Sequence, residues 1–164
     1  MDPLPARDAV LGELLAPLAM LTAIEWGLLA VATVLGLAIG SPAVGLIAVG
    51  CAAALPATTA CVLVLRNLGA LWLPSWAGSS AQSMRGLEAF GQRLLVLFGT
   101  LAVLAVVMVP AGLAAAGVSF ALWSLLGIGV APLAGLVVAG VASAEAYVGV
   151  VVLGRVFETF DVGT

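Results

Sequence analysis

The chain has 164 residues, of which 64% are hydrophobic and only thirteen are charged: five arginines and eight carboxylates, with no lysine and no histidine. A soluble domain carries about 25% charged residues, and the long charge-poor stretches here each hold the roughly 20 apolar residues that a bilayer crossing needs, so the composition is that of an integral membrane protein. Without histidine or lysine there is no Ser-His-Asp or Cys-His pair, no HExxH zinc site, no histidine-ligated haem, no Walker A loop and no Schiff-base cofactor.

Residues 1–15 carry Asp2, Pro3, Pro5, Arg7, Asp8 and Glu13. They read as a tail leading into a short interfacial helix, too acidic for the n-region of a signal peptide. A first membrane span is expected at about 17–39, closed by the turn Gly40-Ser41-Pro42. The second, at about 43–65, is bent by Pro56. The two form a helical hairpin.

The character changes between Arg66 and Arg93, which hold three of the five arginines. Trp72 and Trp76 flank Pro74, as aromatic residues anchored at headgroup depth do, and Gly78-Ser79-Ser80 signals a loop. Met84, Leu87 and Leu94 can share one helical face while Arg85, Glu88 and Gln92 share another. The segment 66–91 is therefore expected to be a cytoplasmic loop with an amphipathic elbow lying on the membrane. A solvated linker with a helix start is the plainer alternative.

A third span is expected at about 92–116, interrupted by Pro110, and a fourth at about 131–153, opening at Pro132. The charge-free segment 117–130 between them is too short to cross and too apolar for water, which predicts a short interfacial or re-entrant piece. The expected fold is an all-α bundle of four transmembrane helices forming a single membrane domain over residues 1–164.

Orientation follows from the arginines, since short loops rich in positive charge stay in the cytoplasm. Arg7, Arg66, Arg85, Arg93 and Arg155 all fall on one side of a four-span chain, so both ends are expected to be cytoplasmic. Cys51 and Cys61, ten residues apart on one helix and hence about 15 Å apart, cannot form a disulfide with each other and read as small core residues. Two runs of small residues four apart, Ala32-Gly36-Gly40 and Ala131-Gly135-Ala139-Ser143, are possible faces for close helix packing.

Two carboxylates fall inside spans. Placing one near mid-span costs about 2.5–3.5 kcal/mol on insertion scales, and such residues usually face a bundle interior or a watery cavity. Glu25 and Glu145 each lie eight residues from the cytoplasmic edge of their span, roughly 12 Å deep, and Thr58, Thr59 and Thr100 count to the same layer. The expectation is a polar site, open toward the cytoplasm, where the two glutamates share a proton or meet a cationic group. Otherwise each is simply protonated, bonded to a nearby hydroxyl such as Thr22 or Ser143, or reaching toward headgroups.

Three stretches resemble one family. The segment Asn67-Leu68-Gly69-Ala70-Leu71-Trp72-Leu73-Pro74-Ser75-Trp76, the block Arg85-Gly86-Leu87-Glu88-Ala89-Phe90-Gly91-Gln92-Arg93 and the ending Arg155-Val156-Phe157-Glu158-Thr159-Phe160-Asp161-Val162 are similar, in the same order, to segments of bacterial ABC exporter permeases. The resemblance covers roughly 51–162 and implies the C-terminal part of an ABC-2-like membrane subunit. It further implies a separate ATP-binding partner, with Arg85, Glu88, Gln92 and Arg93 in an elbow near the ATPase. Such permeases have six or more spans per functional unit, so four spans point to a fragment, or to a half that joins another permease subunit or a second copy.

The leading expectation is a permease-like subunit of an export system in the bacterial inner membrane, surrounded by lipid. It is not expected to be an enzyme, to bind nucleic acid or to hold a cofactor or metal. A small non-transporting assembly protein is the alternative.

Overall fold

The computed structural model describes residues 6–72 and 87–161, and within them the chain is all-α. The helices are α1 (Ala6–Ala38), α2 (Ala43–Trp72), α3 (Leu87–Val107), α4 (Val109–Leu126) and α5 (Ala131–Asp161), with a 3-10 turn, Gly127–Val130, joining the last two. Three stretches are long and apolar enough to cross a membrane: Leu11–Ala38, Ala43–Leu71, and Val109–Val156, which takes in α4, the turn and α5. Leu94–Val107 is a shorter apolar helix.

The breaks follow from glycine and proline. Gly40 ends α1 at φ 82°, a conformation open to a residue without Cβ. Its N–H bonds the Leu37 carbonyl at 3.0 Å while the Ser41 N–H reaches back to Gly36 at 3.2 Å, the paired bonds of a Schellman C-cap. Pro42 then opens α2, where a missing N–H costs nothing. Pro132 stands likewise in the first turn of α5, as expected, and Gly127 at φ 53° closes α4.

Proline inside a helix acts differently. Pro17 lies within α1, which runs 33 residues unbroken, so the separate interfacial helix and the span expected to begin there are one element. Losing one N–H removes one bond of the ladder, and the rest of this leucine- and alanine-rich stretch carries the helix through. At Pro110 the chain does break, with Met108 standing between α3 and α4. The ladder resumes on both sides, from Met108 N–H to Leu104 at 2.8 Å and from Gly112 N–H to Met108 at 2.9 Å. Residues 117–126, expected as part of a separate short piece, are the second half of α4.

The most extensive interface joins α2 and α5. The pairs Gly50 with Gly135, Cys61 with Ala142 and Val64 with Gly149 advance together along both helices, so the two run parallel. Leu14 packs with Leu63, Val150 and Leu153, setting α1 antiparallel to both. Further along the same interface the lining is small: Ala57, Cys61, Ala142 and Ala146 form a second buried cluster, with Ala142 fully enclosed. Large apolar side chains point outward, Phe120 at 91% exposure and Leu125 at 78%.

The run of four-residue steps expected on α5 serves as a contact face only in part. Gly135 is buried and Ala139 packs on the alanine–cysteine cluster, but Ser143 is exposed. A four-residue step advances about 40° beyond a full turn, so the face moves to Ala142, Ala146 and Gly149 in mixed three- and four-residue steps. Of the Ala32-Gly36-Gly40 run, only Gly36 is buried, against Val44. Cys51 is exposed and Cys61 is buried, both as free thiols.

At the α2–α5 crossing even one methyl group is too much. A Cβ on Gly50 would meet the Ala131 carbonyl, and one on Gly135 would meet the backbone of Gly50, whereas a Cβ on Gly140 meets nothing within 4 Å. Gly135→Ala is therefore expected to destabilise the protein by about 1–3 kcal/mol through overpacking. Gly140→Ala on the same helix should be neutral or mildly stabilising. Thermal unfolding of the two variants in detergent checks this contrast.

Candidate functional site

The site is built around the middle of α2. Pro56 has no N–H, so the Ala52 carbonyl four residues earlier loses its helical donor. The Trp26 indole N–H of α1 fills that vacancy, donating to Ala52 at 3.0 Å. Two turns further along α2, the Thr59 hydroxyl donates to Glu25 Oε1 at 2.6 Å. Two neighbouring residues of α1 thus fasten to α2 on either side of its proline.

Thr59 is 8% exposed, and the second carboxylate oxygen, Glu25 Oε2, is buried with no hydrogen-bond partner. The Thr22 hydroxyl, three residues earlier and so on the same face of α1, is also buried and unpartnered. The hydroxyl that serves Glu25 is therefore supplied by the neighbouring helix.

Glu145 is placed differently. It lines a groove of about 500 Å³ in the side of the bundle, between α2, the α3–α4 break and α5. The walls include Val64, Leu65 and Leu68 of α2, Val106, Val107 and Pro110 at the break, and Val141 and Val148 of α5. Glu145 Oε2 is buried without a partner. Cys61, which lines the same groove, donates its S–H to the Ala142 carbonyl at 3.2 Å.

Taking α2 as a ruler, Glu25 bonds at Thr59, while the groove that Glu145 lines runs along α2 from Cys61 to Leu68, about 3–14 Å further along. The two carboxylates thus lie against different stretches of α2. They also approach different faces of α2, because Cys61, Val64, Leu65 and Leu68 centre roughly 180° round the helix from Thr59 at about 100° per residue. No hydrogen bond joins the two carboxylates.

The threonines divide as well. Thr59 serves Glu25, but the Thr58 hydroxyl bonds back to Ala54 at 3.3 Å and Leu55 at 2.9 Å. Thr100 bonds back to Val96 of its own helix at 2.8 Å, a common way for a threonine to satisfy itself within an apolar helix. Arg85 of the expected elbow lies outside the described residues, and Glu88, Gln92 and Arg93 lie in the first two turns of α3. No group of three or more histidine, cysteine, aspartate or glutamate side chains that could hold a metal occurs among the described residues.

Counting along spans missed the role of Trp26. A signal for it was present, since an interior proline always leaves a carbonyl four residues back in need of a donor, and a tryptophan one helix away carries one. Cys61 as a groove residue gave no comparable sign. Compared with known proteins, the chain matches no family model, no curated protein and no solved structure.

The Trp26 bond is expected to contribute about 1 kcal/mol, so Trp26→Phe should lower stability by that amount. Pro56→Ala restores the N–H that Ala52 lacks. In that background the cost of Trp26→Phe should largely vanish, and a double-mutant cycle of unfolding free energies measures the difference. Thr59→Val keeps the shape but removes the donor to Glu25; a loss of about 1–3 kcal/mol is expected, with Thr59→Ser close to wild type in the same assay.

Proposed function

We propose that this chain is a permease-like membrane subunit of an ABC-type export system in the bacterial cytoplasmic membrane, energised by a separate ATPase. The observation that carries a transport role is Glu145. A carboxylate with an unpartnered oxygen in an apolar groove is costly to keep, and ionisable groups at such positions usually mark a substrate or ion pathway.

The membrane setting is supported by the three long apolar stretches and by the many large apolar side chains on the outside, over a seam of small residues between α2 and α5. A four-pass arrangement is supported by the helix directions. The start of α1 and the ends of α2 and α5 meet at one end of the bundle through Leu14, Leu68, Leu71 and Leu153, with Arg66 and Arg155 close by in sequence. Arginine-rich ends of this kind favour the cytoplasm.

The absence of lysine rules out a Walker A loop in this chain, so a partner has to bind ATP. The resemblance of residues 85–93 to the exporter block supports the first turns of α3 as the place where that partner contacts the chain. A second permease chain or a second copy of this one would complete the pathway.

Affinity purification of the tagged chain from its native host in mild detergent is expected to bring down an ATPase with a Walker A loop, and Arg85→Glu with Arg93→Glu should reduce its recovery. Single cysteines placed at 80 and 158 in a chain lacking Cys51 and Cys61 should both be labelled from the cytoplasmic side only. Labelling from opposite sides overturns the four-pass arrangement, and consistent absence of any ATPase, with or without crosslinking, overturns the export reading.

A further inference from the structure

We propose that the groove beside Glu145 is a binding site for a lipophilic monovalent cation, with the charge of the ligand set against the glutamate and its apolar body against the groove walls. The inference deepens the export reading by naming a substrate class.

The groove, at about 500 Å³, is within the range of sites that take drug-sized molecules, about 300–1,000 Å³. Of the side chains that line it only Cys61 and Glu145 can hydrogen-bond. The Cys61 S–H is already committed to Ala142, so among the described residues the groove walls offer no free side-chain N–H or S–H. Glu145 Oε2, by contrast, is an acceptor with nothing to accept. Val106 lines the same groove, and its carbonyl has lost its usual helical donor to Pro110.

A cavity offering acceptors and no free donor selects for a donor or a cation and disfavours anions. Among the described residues that line it there is no arginine, so they supply no counter-charge there. Apolar walls around a single carboxylate also disfavour a small hydrated ion, which would have to give up its water without enough oxygen ligands to replace it. A large cation with diffuse charge and an apolar body gives up little hydration and gains both the Coulomb attraction and burial against Val64, Leu68 and Val141.

The test is equilibrium dialysis of labelled tetraphenylphosphonium against the purified full chain in lipid nanodiscs, with empty nanodiscs as the blank. Saturable binding above the blank is expected, weakened at least tenfold in Glu145→Gln and retained in Glu25→Gln. Ala144→Phe, which fills the groove while leaving the carboxylate in place, should abolish binding. It gives an independent result should Glu145→Gln fail to fold. Neutral triphenylphosphine oxide should not compete.

Binding that is not saturable, that survives both groove variants, or that the neutral analogue displaces equally would overturn the proposal. So would a groove closed by a second copy, seen as a dimer that takes up no probe. The dialysis contains no ATPase: failure to recover an ATPase from cells leaves the binding result standing, and failure to bind the cation leaves the ATPase result standing.

Discussion

Gly50 and Gly135 bring two helix backbones into direct contact, and most of the architecture depends on it. With no side chain between them, α2 and α5 run parallel at close range, and Cys61, Ala142 and Ala146 continue the seam as a row of small groups. Dispersion between closely packed small residues is the attraction available where surroundings are as apolar as the helices themselves. Volume excluded from this seam has to go elsewhere, so phenylalanine, leucine and valine cover the outside. Helix α1 packs against both members of this pair, and α4 packs against α5.

Proline distributes polarity through this apolar frame. Each interior proline frees a carbonyl, and the chain handles the cases differently. Ala52 is served across the interface by Trp26, which ties α1 to α2 beside the Thr59–Glu25 bond. At Pro110 the helix itself breaks, and the break forms one wall of the groove that Glu145 lines. One proline is thus associated with a tether between helices and the other with an opening in the side of the bundle. The two glutamates fall on these two features, one held by a hydroxyl and one left with a buried, unpartnered oxygen.

That asymmetry separates the chemistry of the two acids. Glu25 belongs to a polar cluster with Thr22 and Thr59 inside the α1–α2 interface, where it contributes to holding helices together. Glu145 stands at a surface that a ligand could reach. Between the faces the two acids approach stands α2 itself.

From the amino acids alone, an all-α chain with helices long and apolar enough to cross a membrane was determined, because such runs can satisfy their backbone polar groups within a helix, and so were the hairpin turn at Gly40-Ser41-Pro42 and the start of α5, because glycine and proline act on the backbone locally. What the tertiary structure decided is rotation. Whether Ser143 or Ala142 faces α2, which of Thr58 and Thr59 meets Glu25, and which flank of α2 each glutamate approaches depend on how neighbouring helices turn about their axes. In so uniformly apolar a sequence no polar stripe records that angle; it is set by where glycine and alanine allow two backbones to touch.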